Sequence, residues 1–300
     1  MDIQFHPVQK INPNIRPRPR GLRALFKHES FRRFSQIIFA AFILVVTIQH
    51  GLVTENNASA IASPEAYCPF GGLETLYKYL TGGSTFVAHT HLSNLVLLAA
   101  VLVTAFLFRS AFCGWVCPLG FIQDLVAKLS AFLQKRFPKL RYGMRSLKKR
   151  AAPLAFLDHY LRFLKYGLLI WAVAGAAAYG VMVFRDYDPW SALINIAEFS
   201  FTPGLAVLIV LLIASIFIER PWCRYACPLG AASALFGKFS PIYLKREAEA
   251  CKDCKVCTKA CPMGLPVHSA VKIKSADCIG CLDCVGACPR EGALEVKLGI

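Results

Sequence analysis

From Ser35 to Val53 the chain reads SQIIFAAFILVVTIQHGLV, nineteen residues without a formal charge. A run of that length crosses the hydrocarbon of a bilayer as a helix, and lipid offers backbone N–H and C=O groups no other partner than their own helix. Three further apolar stretches follow, Leu92 to Phe108, Leu164 to Phe184 and Gly204 to Ile218. The second and fourth are short, and neighbouring Phe112, or Pro203 and Phe201, extend them toward the interface. The 300 residues are 56% hydrophobic with mean hydropathy +0.47. That is more apolar surface than a soluble core of this size hides. The expectation is an α-helical membrane protein with spans at about 35–53, 92–112, 164–184 and 203–219.

The basic residues choose the orientation. Residues 1–34 carry eight lysines and arginines and residues 109–166 carry twelve, whereas 54–91 and 185–203 carry one each, Lys78 and Arg185. Basic loops stay on the cytoplasmic side. The basic arm 1–34, the middle loop and the C-terminal tail are therefore expected in the cytoplasm, in a multi-pass protein of the cytoplasmic (inner) membrane. The net charge of +16 is then mainly a topology signal, and a nucleic-acid partner is not expected because the basic residues flank membrane spans. No small-residue cleavage site follows the arm cleanly.

The chain repeats itself. Tyr67-Cys68-Pro69-Phe70, a span, and Phe112-Cys113-Gly114-Trp115-Val116-Cys117-Pro118-Leu119-Gly120 in the first half answer Tyr187-Asp188-Pro189-Trp190, a span, and Trp222-Cys223-Arg224-Tyr225-Ala226-Cys227-Pro228-Leu229-Gly230 in the second. Each half starts on the same side of the membrane, so the four spans form two parallel repeat hairpins related by an axis along the membrane normal. The proline after each Cys-x3-Cys ends one helix and starts the next. After the first copy, Phe121, Leu125, Leu129 and Phe132 make an apolar stripe against Gln123, Lys128 and Gln134, as in a helix lying on the membrane surface.

The tail contains Cys-x2-Cys-x2-Cys-x3-Cys-Pro twice: Cys251, Cys254, Cys257, Cys261 with Pro262, then Cys278, Cys281, Cys284, Cys288 with Pro289. Three closely spaced thiolates wrap one face of a [4Fe-4S] cube. Zinc sites pair two Cys-x2-Cys hooks and have no use for a third cysteine at this spacing. Over about its last fifty residues the chain resembles bacterial-type ferredoxins, and residues 246–300 are expected to be a small α+β two-cluster domain. In that pattern the fourth cysteine of each run serves the other cube. Cys251, Cys254, Cys257 and Cys288 would hold one cluster, and Cys278, Cys281, Cys284 and Cys261 the other. With eight of thirteen cysteines used as ligands, the tail belongs in a reducing compartment rather than in a disulfide framework.

The membrane domain, residues 35–245, holds the remaining paired cysteines. If the parallel repeats converge, Cys113, Cys117, Cys223 and Cys227 bring four thiolates to one point at the cytoplasmic face, the number a cubane, a two-iron cluster or a single iron takes. Packed reduced thiols and a zinc site are the alternatives. Arg224 would offset the charge of such a centre, and Trp115 and Trp222 would shield it.

Four spans, two Cys-x3-Cys-Pro copies and the two-cluster tail together resemble membrane iron-sulfur proteins of the NapH and NosR type. The NosR branch carries a large extracytoplasmic flavin-binding domain, for which residues 54–91 are too few. Copper-reducing assembly factors of the CcoG and FixG type share the core and usually continue into an immunoglobulin-like domain, whereas the sequence stops at Ile300. The NapH-like resemblance implies electron transfer between a quinone pool or a cytoplasmic carrier and an extracytoplasmic partner, a flavin, haem or iron-sulfur subunit of a respiratory complex. A metal-reducing assembly factor is the alternative. The expected cofactors are two [4Fe-4S] clusters, an additional iron or iron-sulfur centre and a quinone, with haem not expected. On the outer side, Cys68 is a metal or redox candidate against a packing role, and His50, His89 and His91 are candidate ligands or proton acceptors against simple interfacial anchors. Asp186 and Asp188 are candidate bases for quinol protons against a solvated loop. No phosphate loop, His-Glu-x-x-His or Ser-His-Asp set is present.

Overall fold

The computed structural model describes residues 29–54, 69–72, 75–76, 92–139, 141–144, 155–179, 183–194 and 202–299. Cys68, His89, His91, most of the basic arm and the side chain of His50 lie outside the described residues. Two compact units emerge: Met1–Ile38, Leu102–Cys117 and Ser233–Ile300 form one, Phe39–Val101 and Pro118–Ala232 the other.

Helix α1 (Glu29–Thr54) begins six residues ahead of the expected span and takes Arg32 and Arg33 into its first turns. Phe34, Ile38, Phe42, Leu44, Val45 and Ile48 are all exposed on it. A helix that shows apolar side chains around most of its girth is at home in hydrocarbon. Helix α2 (Leu92–Phe108) stops where Arg109 turns left-handed at φ 62, short of the expected limit at 112. A short α3 (Ala111–Trp115) carries Cys113, and Pro118 opens α4 (Pro118–Arg136).

In α4 the apolar stripe is outside, with Leu125, Leu129 and Phe132 exposed, while Gln123, Asp124 and Ser130 are buried against protein. Of the polar residues set against the stripe, Gln123 is buried and Gln134 donates to the Ser130 hydroxyl at 3.0 Å, while Lys128 is exposed. The Ser130 hydroxyl donates to the Ile216 carbonyl at 3.1 Å.

Helix α5 (Ala155–Tyr179) is shifted toward the N-terminus from the expected 164–184 and contains Asp158, Arg162 and Lys165. Phe184 falls in the turn after it, followed by a single 3-10 turn (Arg185–Tyr187) and α6 (Pro189–Ile194). Helix α7 (Pro203–Phe217) matches the fourth expected span. Helices α1 and α5 are long and apolar enough to cross a bilayer, and α2 and α7 are shorter apolar helices. The exposed apolar girth of α1, and of α5 at Phe163, Leu164, Ile170 and Trp171, makes this a membrane protein.

The repeat is visible in burial. Leu98, Val101 and Ala105 on α2 and Leu208, Leu211 and Ser215 on α7 are buried at positions 110 residues apart, the separation of Cys113 from Cys223. Left-handed Arg220 at φ 50 mirrors Arg109. A π turn (Trp222–Ala226) carries Cys223, and Pro228 opens α8 (Pro228–Gly237). Outside each second helix the chain approaches closely. A Cβ on Gly72 would meet Asn94 O at 2.3 Å, and one on Gly204 would meet Asp188 O at 3.1 Å.

The tail is a three-stranded antiparallel sheet in the order β2-β1-β3, with β1 (Ile242–Arg246) at its centre. That strand precedes the boundary expected at 246. Two short helices, α9 (Val256–Lys259) and α10 (Asp283–Ala287), flank β2 (Lys272–Ile273), and β3 (Leu294–Leu298) closes the chain. Lys255 and Leu282, at matching places in the two cysteine runs, both adopt φ near +60 and turn the chain into those helices.

Candidate iron-sulfur centres

Cys251, Cys254, Cys257 and Cys288 line one cavity, together with Lys252, Lys255 and Arg290. The charges of Cys288 and Cys251 act on Cys257, and those of Cys278 and then Cys261 act on Cys284. Burial pushes the thiols of Cys257, Cys261, Cys281 and Cys284 up from the ordinary range, so a proton leaves readily only when a cation replaces it. The Leu265 N–H donates to Cys261 Sγ at 3.5 Å, a bond that favours the thiolate. Thiol sets with this spacing, burial and N–H···S bonding suit iron-sulfur clusters. Cys254 is exposed, while Cys257 and Cys284 are buried.

In the same unit, the first Cys-x3-Cys motif meets the second cysteine run. The Trp115 indole N–H donates to Gly280 O at 3.0 Å. At Gly114 a Cβ would lie 2.5 Å from Ile279 O and 3.6 Å from the Cys281 Cβ, so the loop 278–281 rests on bare backbone there. Helix α1 clamps the motif from the other side: Gln36 Nε2 donates to Gly114 O at 2.9 Å and the Ser35 hydroxyl to Trp115 O at 3.1 Å. Phe31 meets the Trp115 ring edge-on at 5.9 Å. Arg32, buried, pairs with Asp283 at 3.0 Å, beside Cys284. None of Gln36, Ser35 or Arg32 was singled out from sequence, since a polar residue at a span's end reads as an interfacial anchor.

In the other unit, Gln123 serves the second motif. Its Oε1 accepts the Trp222 N–H at 3.1 Å, and its Nε2 lies 3.9 Å from Cys223 Sγ. The Gly230 N–H donates to Cys227 Sγ at 3.2 Å. Arg224 does not stand free to offset charge at Cys223 as expected, because it pairs with Asp158 at 2.6 Å. Tyr225 also donates to Asp158, and burial followed by that bond carries its phenol up to about 12. Arg220 is bound bidentately by Asp124, with N···O distances of 2.7 and 2.6 Å. Trp222 stacks on Phe184 at 6.2 Å, and Phe184 in turn meets Phe70 at 5.2 Å and Trp171 at 6.2 Å. Trp171 reaches Tyr187 at 5.9 Å, beside Asp188. The Asp188 carboxylate accepts the Trp190 N–H at 3.1 Å, capping α6, and burial pushes it up to about 7.

Residues 90–139 and 200–246 match a family described as a 4Fe-4S binding domain, and residues 243–289 match one described as a 4Fe-4S dicluster domain. The two stretches of the first match begin 110 residues apart and each contains one Cys-x3-Cys-Pro motif. Over 285 residues the chain is 30% identical to YccM of Escherichia coli K12, whose name describes an electron transport protein, covering 90% of this chain and 75% of that one. It is 30% identical to the ferredoxin-type protein NapH of Haemophilus influenzae over 219 residues, 68% of this chain and 70% of NapH. It is 30% identical to protein NirI of Paracoccus denitrificans over 205 residues, which are 65% of this chain and 28% of NirI. No solved structure matches the chain. With iron-sulfur family matches across both repeats and the tail, and relatives aligned over most of its length, the chain belongs to the NapH/NosR-type family of membrane iron-sulfur electron-transport proteins.

Proposed function

We propose that this chain carries electrons through an integral membrane domain of four spans, between a quinone pool or cytoplasmic carrier and an extracytoplasmic redox partner. Cys251, Cys254, Cys257 and Cys288 hold one [4Fe-4S] cluster of the tail, and Cys278, Cys281, Cys284 and Cys261 hold the second. Cys113, Cys117, Cys223 and Cys227 together hold a further iron centre, a reading supported by the 4Fe-4S family match to both repeats and by the N–H···S bond at Cys227. The clusters supply one-electron steps.

The observation that carries the reading is the seat of loop 278–281 on Gly114 and Trp115. Gly114 lies against Ile279 and Cys281, which supports a short electron path between the second cysteine run and the first Cys-x3-Cys motif. The exposed Cys254 supports the first cysteine set as the port to a redox partner. Asp188, capping the outer turn with a carboxyl near neutrality, is placed to take a quinol proton. The NapH-like core supports a respiratory redox complex as the assembly in which this happens.

Anaerobic iron and acid-labile sulfide counts, with spectra of the Cys117→Ser and Cys227→Ser proteins, test the third centre. Iron equal to two cubes, with spectra unchanged by those substitutions, rules it out. Reduction of the clusters by a quinol analogue supports the electron-transfer reading. Oxidation of prereduced clusters by copper(II), with no response to quinol, would replace it with metal reduction.

A further inference from the structure

Among the described residues, no carboxylate pairs with the buried cation Arg109. It is 3% exposed, its Nε donates to Ile242 O at 2.8 Å and one Nη to Ser275 O at 2.9 Å. Its other Nη is buried with no partner among the described residues. Those bonds satisfy N–H groups but bring no negative charge, and a buried guanidinium without an anion is costly.

The repeat shows what is missing. Arg220, the left-handed arginine of the second half, is neutralised by Asp124. Asp124 stands six residues after Pro118, and the residue six after Pro228 is Ala234, buried on α8. Gly237 on that helix lies against Arg109, with 3.5 Å from its ideal Cβ position to Arg109 Cα. Arg220 of the second half is thus neutralised by a helix of the first, while the matching helix of the second half, α8, has alanine at the place of that carboxylate.

What lies beside Arg109 instead is Cys278. The two line one cavity with Gly280 and Trp115, close enough for their charges to interact. We infer that Arg109 is the counter-ion of the cluster bound by Cys278, Cys281, Cys284 and Cys261 and raises its reduction potential. This rests on the ligation proposed above. A cube with four thiolates is an anion that gains one further negative charge on reduction, so a fixed cation stabilises the reduced form more. At the other cavity, Lys252 and Lys255 are exposed and their effect is screened by water and salt, and Arg290 there is half-buried rather than enclosed as Arg109 is. Arg109 thus acts on the cube nearer the membrane domain and biases where a single electron rests.

The test is a potentiometric titration of the full, cluster-loaded chain in detergent, reduced with dithionite and followed by electron paramagnetic resonance. The affected signal is the one absent from a Cys278→Ala protein. Arg109→Gln is expected to shift the reduced-to-oxidised ratio of that cluster at least tenfold toward oxidised, 59 mV for one electron, and to leave the other cluster unchanged. Arg109→Lys should restore most of the shift. Ala234→Asp, which sets a carboxylate at the α8 position matching Asp124, should lower the same potential while keeping the arginine. Equal midpoints in wild-type, Arg109→Gln and Ala234→Asp proteins overturn the inference, as does loss of the cluster from Arg109→Lys as well as Arg109→Gln. Wild-type protein with iron short of two cubes would instead refute the ligation itself.

Discussion

Replacing Gly114 by alanine tests whether the membrane motif and the second cluster loop form one rigid seat. The new Cβ would stand 2.5 Å from Ile279 O. Ordinary contact requires the loop to withdraw by about 0.5–0.9 Å from that position. The obstacle is backbone rather than a flexible side-chain end, and Gly114 cannot retreat freely because Gln36 holds its carbonyl at 2.9 Å. Overpacking of this kind costs about 1–3 kcal/mol. Withdrawal also stretches the 3.0 Å Trp115–Gly280 bond, worth about 1 kcal/mol. A loss of about 2–4 kcal/mol raises the open population of the loop roughly 30- to 800-fold. Amide hydrogen exchange of the anaerobic holoprotein reads this directly at residues 278–283. Gly286→Ala is the control, since a Cβ there meets nothing within 4 Å. Equal protection of 278–283 in the wild-type and Gly114→Ala proteins would refute the seat.

Asp124→Asn strips the buried Arg220 of its counter-charge and should lower membrane-unit stability by about 3–5 kcal/mol in detergent melts, whereas Glu295→Gln, from an exposed pair, should leave the melt unchanged. Because burial raises the Asp188 carboxyl to about 7, its contribution to stability is full below about pH 4 and fades as pH rises through 7; Asp188→Asn should flatten that dependence, and an unchanged profile would exclude the carboxyl as its source. Cys257→Ala and Cys288→Ala should abolish the same resonance signal, and loss of different signals would refute crossed ligation. A reporter fused after Ile300 should be active only as a cytoplasmic one, and one inserted at Ser84 only as an extracytoplasmic one; the reverse pattern would invert the proposed electron path.

The cysteine runs and first apolar stretch were legible because their spacing and length admit few folds. Helix α5 was harder: Asp158, Arg162 and Lys165 looked like a cytoplasmic loop, yet Asp158 is satisfied by Arg162 and Arg224, so charge need not end a helix. The end of α2 was illegible for a different reason, since nothing in a sequence says that an arginine will take φ 62 where glycine is the usual choice. Gln123 falls on the polar face of the pattern because a 3.6-residue period ranks residues by polarity and cannot tell water from a buried partner. In a membrane the usual inside and outside of an amphipathic helix can be exchanged.

The position of β1 has a consequence for biogenesis. Leu244 pairs with Val296, 52 residues later, yet β1 follows α8 after only a few residues. On a growing chain the central strand emerges first, can pair with β2 once Ile273 is made, and gains its longer partner only when β3 arrives. The cluster pocket formed by Cys251, Cys254, Cys257 and Cys288 likewise cannot close before Cys288 arrives. On the proposed ligation, iron and sulfide would then reach a chain whose membrane helices are already made. A tail severed at residue 246 would lose its middle strand, so a detachable ferredoxin module has to begin before Ile242.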